Sequence, residues 1–468
     1  NMTITNSIIA TPEDKGQRGL YVYNGKVDNT LYFNASARSG NTVYTNCLNV
    51  DPLFVDAANG DFALMPLSPA RGKGTDGSDL GDPRWYTSVT KYTVTATATP
   101  AEAGTVTGAG DYTEGVEVTL VATPAHGYNF VNWTKGEEVV AETAEYTFTA
   151  SANVELVANF EEKAFTGNII NVEPGEGTLA TAVENAEAGD KLVLADGTYE
   201  LGYINGGLLL DKEGLTITAA ENAKPVILYT DGGACLQVVA STTFEGITFD
   251  GGEETKASFL ITTYGAEVEE IVVYNCEFKN YSNFAISDQW SKGCHIGSLK
   301  VDNCLFHDGG QAIVFSKNGF NSKHPCDYFE IKNSTAYNIT HNEYKSVIHI
   351  CSLGDATGAQ NTVVIDHVTI WNYDIINGNA AIEVRKTNNL TITNCIIGNP
   401  ETKKAATYLY GGSVSNMIHF NASLDSDSEN TYCSNTDPLF VDAANNNFML
   451  QLASPAIGKA TDGSNLGD

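Results

Sequence analysis

The chain contains short runs of alternating apolar and polar residues that mostly end in an Asn followed by a small residue. These runs are IVVYNCEF at 271–278, LKVDNCLF at 299–306, FEIKNSTA at 329–336, VVIDHVTI at 363–370 and LTITNCII at 390–397. The small residues lie at positions 276, 304, 334, 368 and 395, so the intervals are 28, 30, 34 and 27 residues. Alternation with a period of two predicts β-strands. A repeat of this length, without a helical pattern between the strands, predicts a parallel β-helix.

Stacked coils place like residues in columns, and two columns follow from the repeated runs. The first is an Asn ladder at a bend, where Asn tolerates a left-handed backbone and its amide can bond to the next Asn; it would contain Asn275, Asn303, Asn333 and Asn394. The second column points inward and holds Cys, Ser or Val. Because Ser and Val share this position, we expect Cys276, Cys304 and Cys395 to be buried and reduced.

A long internal repeat joins the two ends of the chain. NMTITNSII at 1–9 matches NLTITNCII at 389–397, and DPLFVDAAN occurs at both 51–59 and 437–445. Residues 389–468 therefore repeat residues 1–82. This indicates that residues 1–86 are the C-terminal coils of a first β-helix whose upstream coils are absent, and that further repeats of the same chain are partners.

The composition changes after Trp85, and residues 91–160 form short alternating strands with Gly-rich turns. Gly-Thr-Val at 104–106, GVEVTLVATP at 115–124 and GYNFVNW at 127–133 resemble the internalin-type bacterial B-repeat module. The resemblance implies a small β-grasp-like spacer or adhesion domain at 90–162. Its Phe130 and Trp133 suit either the module's core or a ligand surface.

TLATAVENAEAGD at 178–190 has apolar residues at helical spacing before Gly189, which predicts a short helix at about 178–188. Together with the following strand KLVLADGTY, it resembles the N-terminal cap of the pectate lyase-like superfamily, which includes chondroitinase B and alginate lyases. The resemblance implies a right-handed parallel β-helix at 166–468 and an all-β protein in which the B-repeat module is inserted.

The charge balance limits the classes of molecule that the protein could bind. With 26 Lys and Arg against 57 Asp and Glu, the net charge is -31, which disfavours nucleic acid and anionic lipid. No apolar run approaches the roughly 20 residues of a membrane span. We therefore expect an extracellular or cell-surface bacterial protein.

The resemblance to β-helix lyases implies the chemistry to look for. Such enzymes remove a proton next to a uronate carboxyl group, so they need a positive charge at that carboxylate and a base. The candidates are Lys317 or Arg385, with His307 or His349 as accessory groups. No strand carries the paired carboxylates that hydrolases on this scaffold would need.

Aromatic residues and acidic turns suggest other sites. Candidate sugar-stacking residues are Trp290, Tyr344, Trp371 and Tyr373, although Trp371 suits a core position equally well. The spacing of Cys294, His295, His324 and Cys326 matches no zinc pattern, so we expect no such metal site. The Asp-rich closing turns at 76–82 and 462–468 suit Ca²⁺ less well than they suit sealing turns.

Three functions remain open. The leading prediction is a tandem array of β-helices and B-repeats with a glycan-binding or adhesive role, in which the partner is a polysaccharide or a host or cell-surface glycan. The alternatives are a polysaccharide lyase acting on an acidic glycan by β-elimination, and a purely structural stalk.

Overall fold

The computed structural model describes residues 2–11, 18–263, 265–288, 294–315, 325–340, 346–351, 361–374, 380–385, 387, 389–400, 404–409, 412–425 and 429–467. The chain divides into two compact units, Asn1–Ala164 and Phe165–Asp468.

The first unit begins with coils of a solenoid. Its strands are β1 (Met2–Ala10), β2 (Arg18–Tyr23), β3 (Gly25–Phe33), β4 (Ser36–Gly40), β5 (Val43–Thr45), β6 (Phe54–Asp56) and β7 (Asp61–Leu64). Strands β1, β3 and β5 pair in parallel, as do β2 and β4, whereas β6 and β7 form an antiparallel hairpin.

The rest of the first unit is a small β module. Its strands are β8 (Lys91–Thr99), β9 (Gly104–Thr107), β10 (Gly110–Thr113), β11 (Glu117–Pro124), β12 (Tyr128–Lys135), β13 (Glu138–Ala141), β14 (Glu145–Thr149) and β15 (Val154–Glu162). They form two sheets in the orders β10-β8-β15-β12-β13 and β14-β11-β9. Trp133 is fully buried, and its indole nitrogen donates a hydrogen bond to the Ala144 carbonyl at 3.1 Å. Trp133 is therefore a core residue of this module.

The second unit starts with one capped turn of the solenoid. Strand β16 (Ile169–Val172) is followed by helix α1 (Thr178–Asn185). Leu179 and Val183 of α1 are buried in the main core. The helix ends three residues earlier than predicted because Ala186 already has an extended backbone, with φ of -68° and ψ of 151°.

The remaining strands of the second unit fall into two parallel sheets and a terminal hairpin. They are β17 (Lys191–Leu194), β18 (Thr198–Leu201), β19 (Leu208–Leu210), β20 (Leu215–Ala219), β21 (Val226–Tyr229), β22 (Leu236–Val238), β23 (Thr242–Glu245), β24 (Thr248–Asp250), β25 (Phe259–Thr263), β26 (Glu267–Tyr274), β27 (Glu277–Lys279), β28 (Phe284–Asp288), β29 (His295–Asp302), β30 (Leu305–Gly309), β31 (Gln311–Phe315), β32 (Cys326–Thr340), β33 (Ile348–Cys351), β34 (Thr362–Asp374), β35 (Ala380–Arg385), β36 (Asn389–Thr393), β37 (Ile396–Gly398), β38 (Lys404–Leu409), β39 (Ser413–Ser415), β40 (Ile418–Phe420), β41 (Ala422–Ser423), β42 (Glu429–Thr431), β43 (Phe440–Asp442) and β44 (Asn447–Leu450).

Among the described residues, the first sheet of this unit has 18 strands and the second sheet has nine, in the order β19-β22-β25-β28-β31-β33-β35-β38-β41. Each strand pairs with its equivalent one coil away, and the side chains between the sheets form the core. Phe249, Phe278 and Phe306 stack in one inward column with ring centroids 4.7 and 4.9 Å apart. The predicted all-β class and right-handed parallel β-helix are confirmed.

The Asn ladder is present, with one difference in its bonding. The predicted ladder residues have left-handed backbones, with φ between 46° and 56°. The Asn303 amide donates to the Asn275 side-chain oxygen at 3.1 Å, as predicted. The Asn333 amide instead donates to Asp302 at 2.8 Å, because the Asp before a ladder residue offers a charged acceptor. A second ladder, which the sequence reading did not identify, contains Asn280, Asp308, Asn338 and Asn372.

The inward Cys column also matches the prediction. Cys276, Cys304 and Cys395 are buried and free. Burial raises the pKa of the Cys276 thiol to about 12, so this thiol is not a nucleophile at neutral pH.

The two copies of the closing segment dock in the same way. The Asn394 amide donates to the Thr461 hydroxyl at 3.0 Å, and the Gly467 amide donates to the Asn394 carbonyl at 2.7 Å. In the first copy Asn6 makes the same bonds, to Thr75 at 3.0 Å and from Gly81 at 2.9 Å. A ladder Asn therefore anchors the closing segment in both units.

Candidate functional site

The outward face of the second sheet carries a column in which five of the six described members are polar, and we call it the outer column. Parallel register aligns its members in successive coils: Thr262, Ser287, Val314, His349, Glu383 and Tyr408. The preceding residue in each strand points inward, because side chains alternate between the faces of a strand. Those inward residues include Ile348 and Ile382, which belong to the main core. The β-helix thus fixes the polar side chains on a rigid apolar base.

Glu383 is the centre of the outer column. Its side chain is fully buried, and the Ser346 hydroxyl donates to Oε2 at 2.9 Å. The Arg385 guanidinium forms an ion pair with Oε1, and His349 Nε2 lies 3.7 Å from the same oxygen. A buried carboxylate requires such partners, because an isolated buried charge is strongly unfavourable.

Arg385 and Tyr408 are the residues around Glu383 that reach the protein surface. Arg385 is the last residue of β35, and about a third of its side chain is exposed. Its guanidinium carbon lies 5.3 Å from the centroid of the Tyr408 ring, within the range of a cation–π contact. Tyr408 is 38% exposed. The Tyr408 ring and part of the Arg385 side chain therefore reach solvent at one place.

Buried hydroxyl groups extend the outer column toward earlier coils. The Thr262 and Ser287 side chains are fully buried, and their hydroxyl groups have no hydrogen-bond partner among the described residues. Buried polar groups of this kind are usually satisfied by a protein group, water or an ion.

The structure separates His307 from His349 and Arg385. His307 lies in β30 of the first sheet, with Nδ1 2.7 Å from Asp308 and Nε2 2.9 Å from Glu277. Its ring stacks on Tyr337 at a centroid distance of 4.9 Å. Both ring nitrogens are engaged, so His307 is a structural residue and does not join the predicted group.

Two of the predicted sugar-stacking residues are buried. Trp371 stacks on Phe420 and packs edge-on against Phe440, while Tyr373 is 2% exposed and its hydroxyl donates to the Ala405 carbonyl at 3.1 Å. The closing segment covers the Trp371 surface. Neither ring is available to a sugar in this structure. This corrects the expectation for Tyr373 and selects the core alternative for Trp371.

Three further candidates, Lys317, Trp290 and Tyr344, lie outside the described residues and stay predictions. The same holds for His324 of the cysteine and histidine group. His295 lies 3.4 Å from the Asp327 carboxylate.

Within the described part of the chain, no group of three or more His, Cys, Asp or Glu residues could hold a metal ion. The closing-turn carboxylates instead have protein partners. Asp76 accepts from the Ser78 amide and hydroxyl, Asp79 pairs with Arg71 at 3.0 Å, and Asp82 pairs with Arg84. Asp462 accepts from Ser464 in the same way as Asp76 from Ser78. These contacts fit sealing turns.

One constellation has the appearance of a hydrolase triad. His367 Nδ1 lies 3.1 Å from Asp366, and His367 Nε2 lies 2.8 Å from the Ser464 hydroxyl. The Ser464 hydroxyl, however, donates to Asp462 at 2.6 Å. In the first copy Ser78 makes the same 2.6 Å bond to Asp76, and none of its partners among the described residues is a His. The arrangement therefore belongs to the turn and fastens the closing segment.

The sequence reading missed Glu383 and Tyr408. The available signal was a charged residue in AAIEVR at 380–385, where every other position before the terminal Arg is apolar. A fully buried strand with one carboxylate predicts a partnered site, because Glu is seldom buried without a partner.

Two family models match parts of the chain. Residues 92–164 match the Divergent InlB B-repeat domain, and residues 197–339 match a domain of unknown function, DUF4957. None of the curated proteins matches the chain. Within the described residues, no helix is long and apolar enough to cross a membrane.

Solved structures with a similar course of the chain include polysaccharide lyases. The PL6 family alginate lyase AlyGC has a TM-score of 0.41 and 16% identity, with 93% of this chain and 68% of that chain covered. Pectate lyase Pel9A has a TM-score of 0.36 and 12% identity, covering 64% of this chain and 96% of that one. A family 28 exopolygalacturonase from Yersinia enterocolitica has a TM-score of 0.27 and 9% identity, over 69% and 95% of the two chains.

Proposed function

We propose that this chain is a glycan-binding part of a bacterial surface protein and that it contacts a polysaccharide through the outer column around Arg385 and Tyr408. The observation that supports this most is the buried Glu383 carboxylate, which holds the Arg385 guanidinium beside the exposed Tyr408 ring. Tyr presents an apolar face with a polar end, and Arg presents several donors in a fixed plane. A sugar ring offers the matching apolar face and hydroxyl groups.

The charge state of the cluster favours binding over β-elimination. A lyase must stabilise the negative charge that develops at the uronate carboxylate. Arg385 already shares its charge with the fully buried Glu383 carboxylate, and His349 lies near the same carboxylate. The described cluster thus has little positive charge left for a substrate carboxylate.

The proposal places the chain in an adhesive array outside the cell. Two copies of the closing segment occur in one chain, with a match to the B-repeat domain between them. An excess of acidic residues suits a protein that stays soluble at a surface.

A lyase is the second candidate. It is favoured by the meeting of Arg385, His349 and Tyr408, since these residue types can neutralise a carboxylate and accept a proton. A purely structural stalk is the third, and it predicts that no glycan binds.

The test is native electrophoresis of the full chain in gels that contain alginate, polygalacturonate or xylan. We expect retardation of the wild type and clearly reduced retardation of Tyr408→Ala. Tyr203→Ala removes a tyrosine that is 62% exposed in an early coil and serves as the matched control. Unsaturated product detected by ultraviolet absorbance would show that the chain cleaves the polymer and would favour the lyase. Absence of retardation by every polymer would favour the purely structural stalk.

A further inference from the structure

His367 and Tyr432 are positions of the Asn ladder that carry a bulky side chain. His367 has a φ of 49°, and its ring contacts Asp366 and Ser464, so this side chain helps to fasten the closing segment. In the closing coils, Asn6, Asn29, Asn394 and Asn416 hold left-handed backbones, with φ between 44° and 56°. Tyr432 occupies the next ladder position in the second copy and has a φ of 54°. A bulky side chain rarely adopts this conformation, so Tyr432 is a backbone outlier.

The first copy shows what the fold itself requires at this position. Asn46 is the equivalent of Tyr432, because Thr45 and Thr431 each occupy the matching register position immediately before it. The Asn46 amide donates to the Asn29 side-chain oxygen at 3.1 Å. A Tyr side chain cannot make this bond, since it has no amide. The second copy therefore lacks this side-chain hydrogen bond of the ladder, and Tyr432 holds a left-handed backbone that is unfavourable for its residue type.

The Tyr432 side chain is not used to fill the core. It is 90% exposed, and it borders a cavity of about 480 Å³. The cavity wall combines the apolar Pro455 with the polar Ser434, Lys459 and Thr461. An exposed tyrosine thus lies beside a cavity whose lining includes two hydroxyl residues and a lysine.

We propose that Tyr432 and this cavity form a second carbohydrate-binding site, which takes a pyranose ring. The flat face of the ring would stack on the Tyr432 phenol, and its hydroxyl groups would meet Ser434, Lys459 and Thr461. This site lies in the closing coils and uses none of the residues of the outer column. The two proposed sites can therefore be tested independently of each other, although both bind sugars.

Substitution Tyr432→Asn tests this proposal because it restores the residue of the first copy. Asn suits a left-handed backbone and can form the ladder bond, so the melting temperature of the full chain should stay equal or rise. At the same time, the affinity of this site for the sugar should fall by at least about tenfold, and retardation of the full chain should decrease. A surface tyrosine without function would not combine retained stability with lost binding.

The measurement is native electrophoresis in alginate, polygalacturonate and xylan, with Tyr203→Asn as the control for removal of an exposed tyrosine. Reduced retardation of Tyr432→Asn, with unchanged retardation of the control, supports the site. Equal retardation of Tyr432→Asn and wild type overturns it, even if Tyr408→Ala loses binding and the outer column stands. Absence of retardation of the wild type by all three polymers overturns both sites.

Discussion

Glu383 and Arg385 lie two positions apart on strand β35, and the fully buried carboxylate of Glu383 holds the guanidinium of Arg385 at the edge of the outer column. The pairing explains how a charged residue persists in a strand that is otherwise apolar. It also fixes the plane of the guanidinium next to the Tyr408 ring.

Removal of Arg385 should therefore destabilise the protein. In Arg385→Ala the Glu383 carboxylate stays buried with a weaker set of partners, and we expect the free energy of unfolding to fall by about 2 kcal/mol. The double variant Glu383→Gln with Arg385→Gln removes both charges and should recover part of this loss. Urea unfolding of the wild type and the two variants checks this. Equal stability of Arg385→Ala and wild type would contradict the pairing.

The stability of the β-helix should depend on the His307 ion pairs in a defined pH window. The hydrogen bond from His307 lowers the pKa of Glu277 to about 2. Burial lowers the pKa of His307, but its bonds to Glu277 and Asp308 outweigh this and raise that pKa above its usual value. Glu277 thus contributes stability above about pH 4.5 that is lost as the pH falls toward 2. His307 contributes stability below about pH 6.5 that is lost as the pH rises through its raised pKa.

His307→Gln tests this window, because Gln can keep one hydrogen bond without the charge. We expect the wild type to exceed the variant most between about pH 4.5 and 6.5, and the difference to shrink on both sides. The effect should be about 1–2 kcal/mol, since the Glu277 carboxylate is a third exposed and partly screened. Thermal melts across the pH range measure it. A constant difference at every pH would show that His307 acts through packing alone.

Loss of Asn394 should release the closing segment. The Asn394 side chain bonds to Thr461 and Asp366, and Ala would also be strained at its φ of 56°. We expect Asn394→Ala to lose about 2–3 kcal/mol of stability and to raise protease cleavage within 436–467. Asn372→Ala, in the second ladder, is the comparison. Cleavage at the same rate in both variants would refute the anchoring role.

Sequence patterns predicted the coils and the first Asn ladder because these depend on local alternation and on the backbone preference of Asn. The same alternation could not tell which outward faces are covered. Trp371 points outward from its strand, yet Phe440 of the closing segment packs on it. Contacts between elements far apart in sequence decide such cases, so the two alternatives for Trp371 stayed open and His307 was grouped with the wrong residues.

Glu383 shows a second reason why the site could not be predicted from the sequence. Its strand was visible in the sequence, but the meaning of its carboxylate depends on Ser346 and Arg385 being within reach. Tyr408 joins them only through the parallel register of β35 and β38. Register across coils of unequal length is not fixed by the repeat interval alone.

The central claim is glycan binding at the outer column, and affinity electrophoresis of Tyr408→Ala against wild type tests it most directly. The account predicts that wild type is retarded by at least one of alginate, polygalacturonate and xylan, that Tyr408→Ala is retarded clearly less than wild type, and that Tyr203→Ala behaves as wild type. Equal retardation of Tyr408→Ala and wild type would contradict it.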